Sequence, residues 1–600
     1  MASADTLVFD MSSMAEGTPS VFTKKDWLNI LDNQNQSYQG NQSVIDTSQL
    51  ANSNKFMNYR EGYLLVPMML TLTGTPSATR LTAGTNLFAP NSTASSCDYA
   101  IGLKNWYGSV IHSLTLDYQG TTIIQQTPYI GMWNTFRLMT TLSVEDLVSI
   151  GPTIGFYPDT AGAFQLPPNG ASTQAYANGS FTTANNVNYI NANPPITGAF
   201  NPQLNGNVGM LNRQRFWNFD ADGTAGNFAG GSAYSAIMTT ANMTTLYKSY
   251  VFNKVNTAFT TALAVNSLSQ TGIWQAAISG IVLLRHIHSF FERVPLLKGV
   301  FLKLTLNLNQ SSVNFTTTGS DYTGTGQTFT ACTVSSPLGG ISPLMIAAAT
   351  ATSGSVALTG GNYVISLAVG KSVLNSAQTS VTGTAPSGSP LSGSVQLYVP
   401  AFSFNPVFES SYLSSPVKKI IYTDVYQYQV LNIAGGGVYN NLVTNGIANI
   451  KSVLVLPYFN ASASNGKLIP FQSPFDPAGG GPTSPLCLQT QFNIQISGQN
   501  AIYNTERYSW EQFVNQFYGV NAINGGQVDG LTSGLVGQYD FDMEYCYYYV
   551  NCGRMLPVEE AVPKSVNILG QNTSQLAIDL YIFVEYGVEV SVDVLTGARV

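Results

Sequence analysis

The stretch SLTLDYQGTTIIQQTPYIGMWNTFR (Ser113–Arg137) returns in altered spelling far down the chain as QFNIQISGQNAIYNTERYSWEQF (Gln491–Phe513). In the first, Leu114, Leu116 and Tyr118 alternate into a Gln119-Gly120 turn, and Ile123-Ile124 forms the return strand. Thr127 then offers an N-cap oxygen, Pro128 suits the first helical position, and Ile130, Trp133 and Phe136 recur at helical spacing. In the second, Phe492, Ile494 and Ile496 alternate into Ser497–Asn500, with a return strand at Ala501–Tyr503. Ser509 and Gln512 have capping-box spacing, and Trp510, Phe513 and Phe517 supply an apolar helix face. Each copy therefore predicts strand, tight turn, strand, helix.

The flanks repeat as well. Upstream lie apolar strands that contain a proline, YLLVPMML (Tyr63–Leu70) and VLVLPYF (Val453–Phe459). Downstream lie long period-two strands: Val300, Leu302, Leu304, Leu306 and Leu308 in one half, and Leu576, Ile578, Leu580, Ile582 and Val584 in the other. The second of these continues past Gly587 through Val588, Val590, Val592 and Val594, with the glycine expected to mark a bend or bulge between two strands. A shared order of this length implies an internal duplication, and hence two related β domains. Between hairpin and long strand the first half carries an insertion at about 151–272 rich in Asn, Gly, Ala and Thr, which predicts surface loops. A helix is expected to follow it, with Ile273, Ala277, Ile281, Leu284, His288 and Phe291 near one face and Pro295 ending it. Thr379–Ser394 reads as a polar loop, and the leading residues, with no sustained period, as an extended arm.

The expected fold is all-β: two tandem jelly-roll β-sandwich domains with short helices and long loop insertions. The expected divisions are an N-terminal arm over 1–55, a first jelly roll over 56–335 with the insertion at about 151–272, and a second jelly roll over 336–600. A β-propeller needs four or more repeats, and two are visible.

Composition points to assembly. Only 9% of the 600 residues are charged, against roughly 25% in an average soluble protein. Asn, Gln, Ser, Thr and Gly take their place, so copies can pack side by side with little like-charge repulsion. The net charge of −7 and the lack of a Lys/Arg run argue against direct binding of a nucleic-acid backbone. Cys97, Cys332, Cys487, Cys546 and Cys552 include no CxxC pair and are expected to be free thiols of a reducing compartment. The opening MASADTLVFDMSSMAEG does not read as a secretory signal, and IWQAAISGIVLLRHI is too short to span a bilayer, so no membrane insertion is expected.

No catalytic, cofactor-binding or metal site is expected. HExxH, GxSxG and GxxxxGK[ST] do not occur. On a helix His286 and His288 point apart and cannot share a metal, whereas on a strand they would share a face; His112 stands alone. DFDMEY places Asp540, Asp542 and Glu544 on one side of a strand, where they could bind calcium or form a glycosidase pair, against the plain reading of a solvated face. FDADG (Phe219–Gly223) starts like a calcium loop without its later ligands and reads as a turn. The aromatic run EYCYYYVNCGR (Glu544–Arg554) suits either carbohydrate stacking or buried sandwich and subunit contacts, with the structural role favoured.

The chain resembles the double jelly-roll major capsid proteins of virophages and polinton-like viruses. The residues that carry the resemblance are IVLLRHIHSFFERVPLLKGVFLKLTLNLN (from Ile281), YVPAFSFNPVFESSYLSSPVKKIIYTDV (from Tyr398), SPFDP (Ser473–Pro477), YSWEQF (Tyr508–Phe513) and the closing VEVSVDVLTGARV. The resemblance implies a structural protein and no enzyme. It implies homotrimers whose six jelly rolls form a pseudo-hexagonal capsomer, tiling an icosahedral shell around a double-stranded DNA genome. The expected partners are other copies of the chain, with penton and minor capsid proteins; the expected location is the virion, assembled inside the infected host cell. The rival readings are a fibre-like or lectin-like jelly roll that binds glycans, and a secreted β-sandwich hydrolase using Asp540 and Glu544.

Overall fold

The structure is a computed structural model. It describes residues 20–33, 38, 40–50, 53–76, 99–103, 105–158, 252–255, 272–318, 328–335, 343–348, 361–370, 394–459, 489–502, 508–517, 534–543, 545, 547–552, 561–573, 577–594 and 598–599. The polar stretch at 379–393, FDADG, SPFDP, Glu544, Cys97, Cys487, Cys546, Leu576 and all of the 151–272 insertion except 151–158, 252–255 and 272 lie outside the described residues.

In chain order the first half contains β1 (Phe22–Leu31), β2 (Gln42–Asp46), β3 (Phe56–Met57), β4 (Tyr63–Pro76), β5 (Tyr99–Leu103), β6 (Ile111–Tyr118) and β7 (Thr121–Ile124). Two helices follow, α1 (Ile130–Thr141) and α2 (Val144–Ile154), then β8 (Phe252–Val255) and β9 (Gly272–Leu283). Next come the single turns α3 (Leu284–Ile287) and α4 (Phe290–Arg293), then β10 (Leu297–Lys298) and β11 (Leu302–Leu308). The half closes with β12 (Ser312–Thr318), β13 (Thr328–Ser335), β14 (Leu344–Ala348), β15 (Gly361–Val369), β16 (Gln396–Phe404) and the helix α5 (Pro406–Leu413). The second half contains β17 (Val417–Ile433), β18 (Val438–Ile447), β19 (Ile450–Phe459), β20 (Gln489–Ile496) and β21 (Gln499–Asn500). After these come α6 (Trp510–Phe517), α7 (Gln538–Met543), β22 (Tyr548–Asn551), β23 (Lys564–Asn572) and β24 (Ile578–Asp593).

Strand pairing reveals the same plan twice. The eight strands of the second half form two four-stranded antiparallel sheets, β17-β24-β19-β22 and β18-β23-β20-β21. Numbered along the half, these are first-eighth-third-sixth and second-seventh-fourth-fifth, the winding of an eight-stranded jelly roll. In the first half β1 pairs β16, β16 pairs β4 and β4 pairs β9, while the other sheet runs β2-β11-β6-β7. The order is identical once the short β3, β5, β8 and β10 are set aside, together with β12–β15, which form an insertion between the seventh and eighth strands. Within it β15 extends the first sheet along the far end of β4, and β12 pairs β15 and β13.

The details repeat too. Gln119 and Gly120 both take positive φ (49° and 80°), as do Ser497 and Gly498 (50° and 82°). This is the mirror-image turn whose twist matches a two-residue hairpin, with glycine at the second position in both halves. Pro67 and Pro457 both lie in the third strand of their halves. Each sits where one neighbour has run out: β16 pairs β4 only over Tyr63–Leu65, and β22 pairs β19 only over Ser452–Val455. A missing N–H is tolerated in such a place. The cores are apolar ladders: Leu114, Leu116, Tyr118, Leu302, Leu304, Leu306 and Leu308 are buried in one half, and Phe492, Ile494, Val566, Ile568, Ile582 and Val584 in the other.

Four sequence readings are corrected. Residues 22–31 are not an arm, because β1 runs antiparallel to β16 from Phe22↔Phe404 to Leu31↔Gln396 and supplies the first strand of the first jelly roll. That pairing also carries the first half past residue 335 to Phe404, since β12–β16 all join first-half strands. Residues 272–283 are a strand rather than a helix. Their apolar positions fit both periods, and pairing with β4 from Tyr63↔Leu283 to Gly74↔Gly272 decides between them. Gly587 does not divide two strands: β24 runs through it, and a Cβ there would run into the Asn449 side-chain amide, so close approach explains the glycine.

Candidate functional site: the junction of the two halves

The residues singled out for chemistry do not converge. His112 is buried beneath Tyr129, ring centroids 4.7 Å apart, and burial lowers its pKa to about 4. His286 packs edge-on against Trp106 at 6.2 Å, and burial, then the Arg285 and Arg137 charges, lower its pKa to about 3. Both rings are neutral at physiological pH. The Asp540 segment is helical, not extended, so Asp540 and Asp542 share no strand face. Asp540 accepts the Gly537 N–H at 3.2 Å, and its pKa is raised by burial. Cys552 is a free, buried thiol whose pKa burial pushes up to about 12, which makes it a packing residue. Among the described residues no three His, Cys, Asp or Glu gather as a metal site would require, and no helix is long and apolar enough to cross a membrane.

The side chains that do converge lie between the halves. β17 and β24 are far longer than an ordinary strand of about 5–6 residues. One end of this ribbon belongs to the second sandwich, where β24 is flanked by β17 and β19. The other end reaches past it to the first half. There the Tyr422 hydroxyl donates to the Ile123 carbonyl at 2.5 Å, and Thr127 Oγ1 donates to the Val425 carbonyl at 2.6 Å. Thr127 is thus occupied across the junction and does not cap α1, which starts at Ile130 behind a left-handed Tyr129. Ser289 Oγ donates to the Thr423 carbonyl and accepts the Thr423 N–H at 3.0 Å.

A buried pair lies at the centre of this clasp. His288 Nε2 is 3.3 Å from Asp424 Oδ1, with side chains only 4% and 3% exposed. The Phe290 N–H donates to His288 Nδ1 at 3.1 Å, so the ring proton sits on Nε2 and is donated to the carboxylate. The same carboxylate accepts the Val425 N–H at 2.8 Å and hydrogen-bonds Tyr586. With its hydrogen bonds filled by groups from both halves, the pair holds the junction in register.

Around it, α1 covers the outer face of the second half's first sheet. Tyr129 stands edge-on to Tyr581 at 5.2 Å, Trp133 lies 6.3 Å from Phe583, and Phe136 is 4.9 Å from Tyr547 and 5.6 Å from Tyr549. Aromatic pairs at these separations are worth about 0.5–1.5 kcal/mol each beyond area burial. Tyr548 points the opposite way, into the core against Phe492 and Tyr508. The aromatic run is therefore used up on both sides of its strand.

Among the described residues nothing covers the corresponding outer face of the first half in this way. It presents Lys25, Trp27 and Asn29 from β1, Gln396 and Tyr398 from β16, Tyr63 and Leu65 from β4, and Ile281 and Leu283 from β9, each half-buried or exposed. Trp27 is 51% exposed and lies 5.7 Å from Tyr63, which stacks on Tyr398 at 5.0 Å. The Asn29 amide donates to Gln396 Oε1 at 3.0 Å, and Lys25 Nζ sits 5.5 Å from the Trp27 ring.

No protein-family model matches the sequence, and no curated protein matches it significantly. Solved structures do match. The cryo-EM structure of the Sputnik virophage is similar at 12% identity over 97% of this chain and 89% of that one, with a TM-score of 0.43. The crystal structure of the mavirus major capsid protein is similar at 9% identity, over 97% and 90% of the two chains, with a TM-score of 0.41. The Faustovirus major capsid protein is similar at 9% identity, over 97% and 94%, with a TM-score of 0.36.

Proposed function

We propose that the chain is the major structural protein of an icosahedral viral capsid and has no enzymatic role. Three copies place six jelly rolls in a ring to form a pseudo-hexagonal capsomer, and capsomers tile a shell around a double-stranded DNA genome. Penton and minor capsid proteins complete the shell, which assembles inside the infected host cell. The observation that carries this reading is the repeated eight-strand plan, with an outer sheet face covered in one half and open in the other. A polar surface with only 9% charged residues in the chain suits repeated side-by-side contacts. Negative-stain images and sedimentation of the purified protein test it: hexagon-outlined trimers or shells are expected, and a monomer at every concentration would overturn it.

A second reading rests on the exposed Trp27 beside the stacked Tyr63 and Tyr398, an arrangement that could also stack sugar rings. Binding to a broad glycan panel that is lost on Trp27→Ala, with no self-association, would favour that reading.

A further inference from the structure

We infer that Asn445 is a self-modification site: its side-chain amide condenses with the Gly446 backbone nitrogen to a succinimide, which water opens to aspartate and isoaspartate. The inference is independent of the assembly reading above, because the reaction needs only this chain and water.

The step is an intramolecular displacement at an amide carbon. The Gly446 nitrogen bonds to Asn445 Cγ, the Cγ–Nδ2 bond breaks, and ammonia leaves with the proton given up by the Gly446 N–H. The imide then takes up one water. Cleavage of the new Cγ–N bond gives aspartate, whereas cleavage between that nitrogen and the Asn445 main-chain carbonyl carbon gives isoaspartate, with the chain rerouted through the side chain.

Three features of the fold favour the reaction at this position. First, strand pairing leaves residues 445 and 446 out of the ladder. Thr444 pairs Val566 and Ile447 pairs Lys564, so two residues of β18 face Ser565 alone in a bulge. β18 is also the edge strand of its sheet. The Gly446 N–H makes a 3.4 Å contact with Thr444 Oγ1, longer than a normal hydrogen bond, and is weakly held.

Second, Asn445 and Gly446 are both exposed, and a Cβ built on Gly446 would meet no atom beyond its chain neighbours within 4 Å. The attacking nitrogen is unshielded, and water reaches the imide. Third, the fold makes no demand for glycine at 446: it takes no positive φ, and nothing crowds it as Asn449 crowds Gly587. Asn440 and Asn441 in the same strand are natural controls, since they pair with Leu569 and Ile568 and precede residues that carry side chains. Either product adds one negative charge to a chain of net charge −7, near the ladder position of Lys564, and isoaspartate also lengthens the backbone by a methylene.

The test is incubation of the folded, full-length chain in mildly alkaline buffer. Peptides covering 440–447, released by pepsin in acid, are then read by mass spectrometry with electron-transfer fragmentation, which separates isoaspartate from aspartate. Conversion at Asn445 is expected to exceed that at Asn440 and Asn441 at least about tenfold and to yield both products. Gly446→Ala, which the open space accommodates, is expected to leave the unfolding temperature unchanged and to slow the conversion at least about tenfold. Equal conversion at the three asparagines, undiminished conversion in Gly446→Ala, or aspartate formed without isoaspartate would each overturn the inference.

Discussion

The outer faces of the two third-and-eighth-strand sheets are built from similar residues and meet different fates. In the second half, Leu454, Leu456, Tyr581 and Phe583 are buried under Tyr129, Trp133 and Phe136 of the preceding half. In the first half, Tyr63, Leu65, Tyr398 and Trp27 keep a water-facing side. Strand pattern alone does not tell the faces apart, because what separates them is the helix that happens to come earlier in the same chain. Among the described residues the β1-β16-β4-β9 face meets no helix equivalent to α1.

Substitutions on the covered face should break this contrast most strongly. Trp133→Ala removes the largest side chain of α1 at the junction and is expected to cost about 3–5 kcal/mol in denaturant unfolding. The equivalent test on the open face, Trp27→Ala, should change the stability of the single chain by no more than about 0.5–1 kcal/mol, since Trp27 is 51% exposed and gives up its contacts with Tyr63 and Lys25. Equal losses would refute the assignment of covered and open faces.

Next in size, Asp424→Ala leaves the His288 Nε2–H and the Val425 N–H facing a buried site with no acceptor, with an expected cost of about 3 kcal/mol. A scanning calorimetry trace that splits into two transitions would locate the damage in the clasp. A single, lower transition would mean that the halves still melt together.

Buried histidines give the first half a pH signature absent from the second, because all three histidines precede residue 289. His112 has a folded pKa of about 4, below its unfolded value of about 6.5. The unfolded chain therefore binds a proton first as the pH falls. The stability that neutral His112 supports is fully present above about pH 6.5 and is lost progressively down to about pH 4, by about 3 kcal/mol in total. His112→Phe should flatten the slope of unfolding free energy against pH in that window; an unchanged slope would place the titration elsewhere. Smallest, and alike in both halves, are the hairpin turns: Gly120→Ala and Gly498→Ala each put a Cβ at positive φ and should cost about 1 kcal/mol. A large difference between them would mean that the two turns are not equivalent.

Much of this architecture was legible in the residues. The turns at Gln119-Gly120 and Ser497-Gly498 and the alternation of Leu302–Leu308 and Ile578–Val584 announced two matching β domains, because a hairpin and a half-buried strand each leave a local period. What local periods could not reveal was pairing over distance. β1 reads FTKKDWLNIL, with adjacent lysines and an outward tryptophan, and it is a strand because β16 lies beside it. The end of the first half was misplaced for the same reason: β12–β15 intervene before its last strand. At 272–283 an apolar run fitted two periods, and only β4 could choose between them. The His288–Asp424 pair, 136 residues apart, and the Thr127–Val425 bond left no trace in the spacing. Thr127 looked like a helix cap for want of its true partner.

The position of β24 has a consequence for synthesis. Because β24 lies in the interior of its sheet and carries Tyr581 and Phe583, neither the second sandwich nor the seat for α1 exists until that strand has been made and placed between β17 and β19. A chain cut short before β24 lacks the surface on which its own halves join, and Tyr129, Trp133 and Phe136 are left without their aromatic partners on that strand.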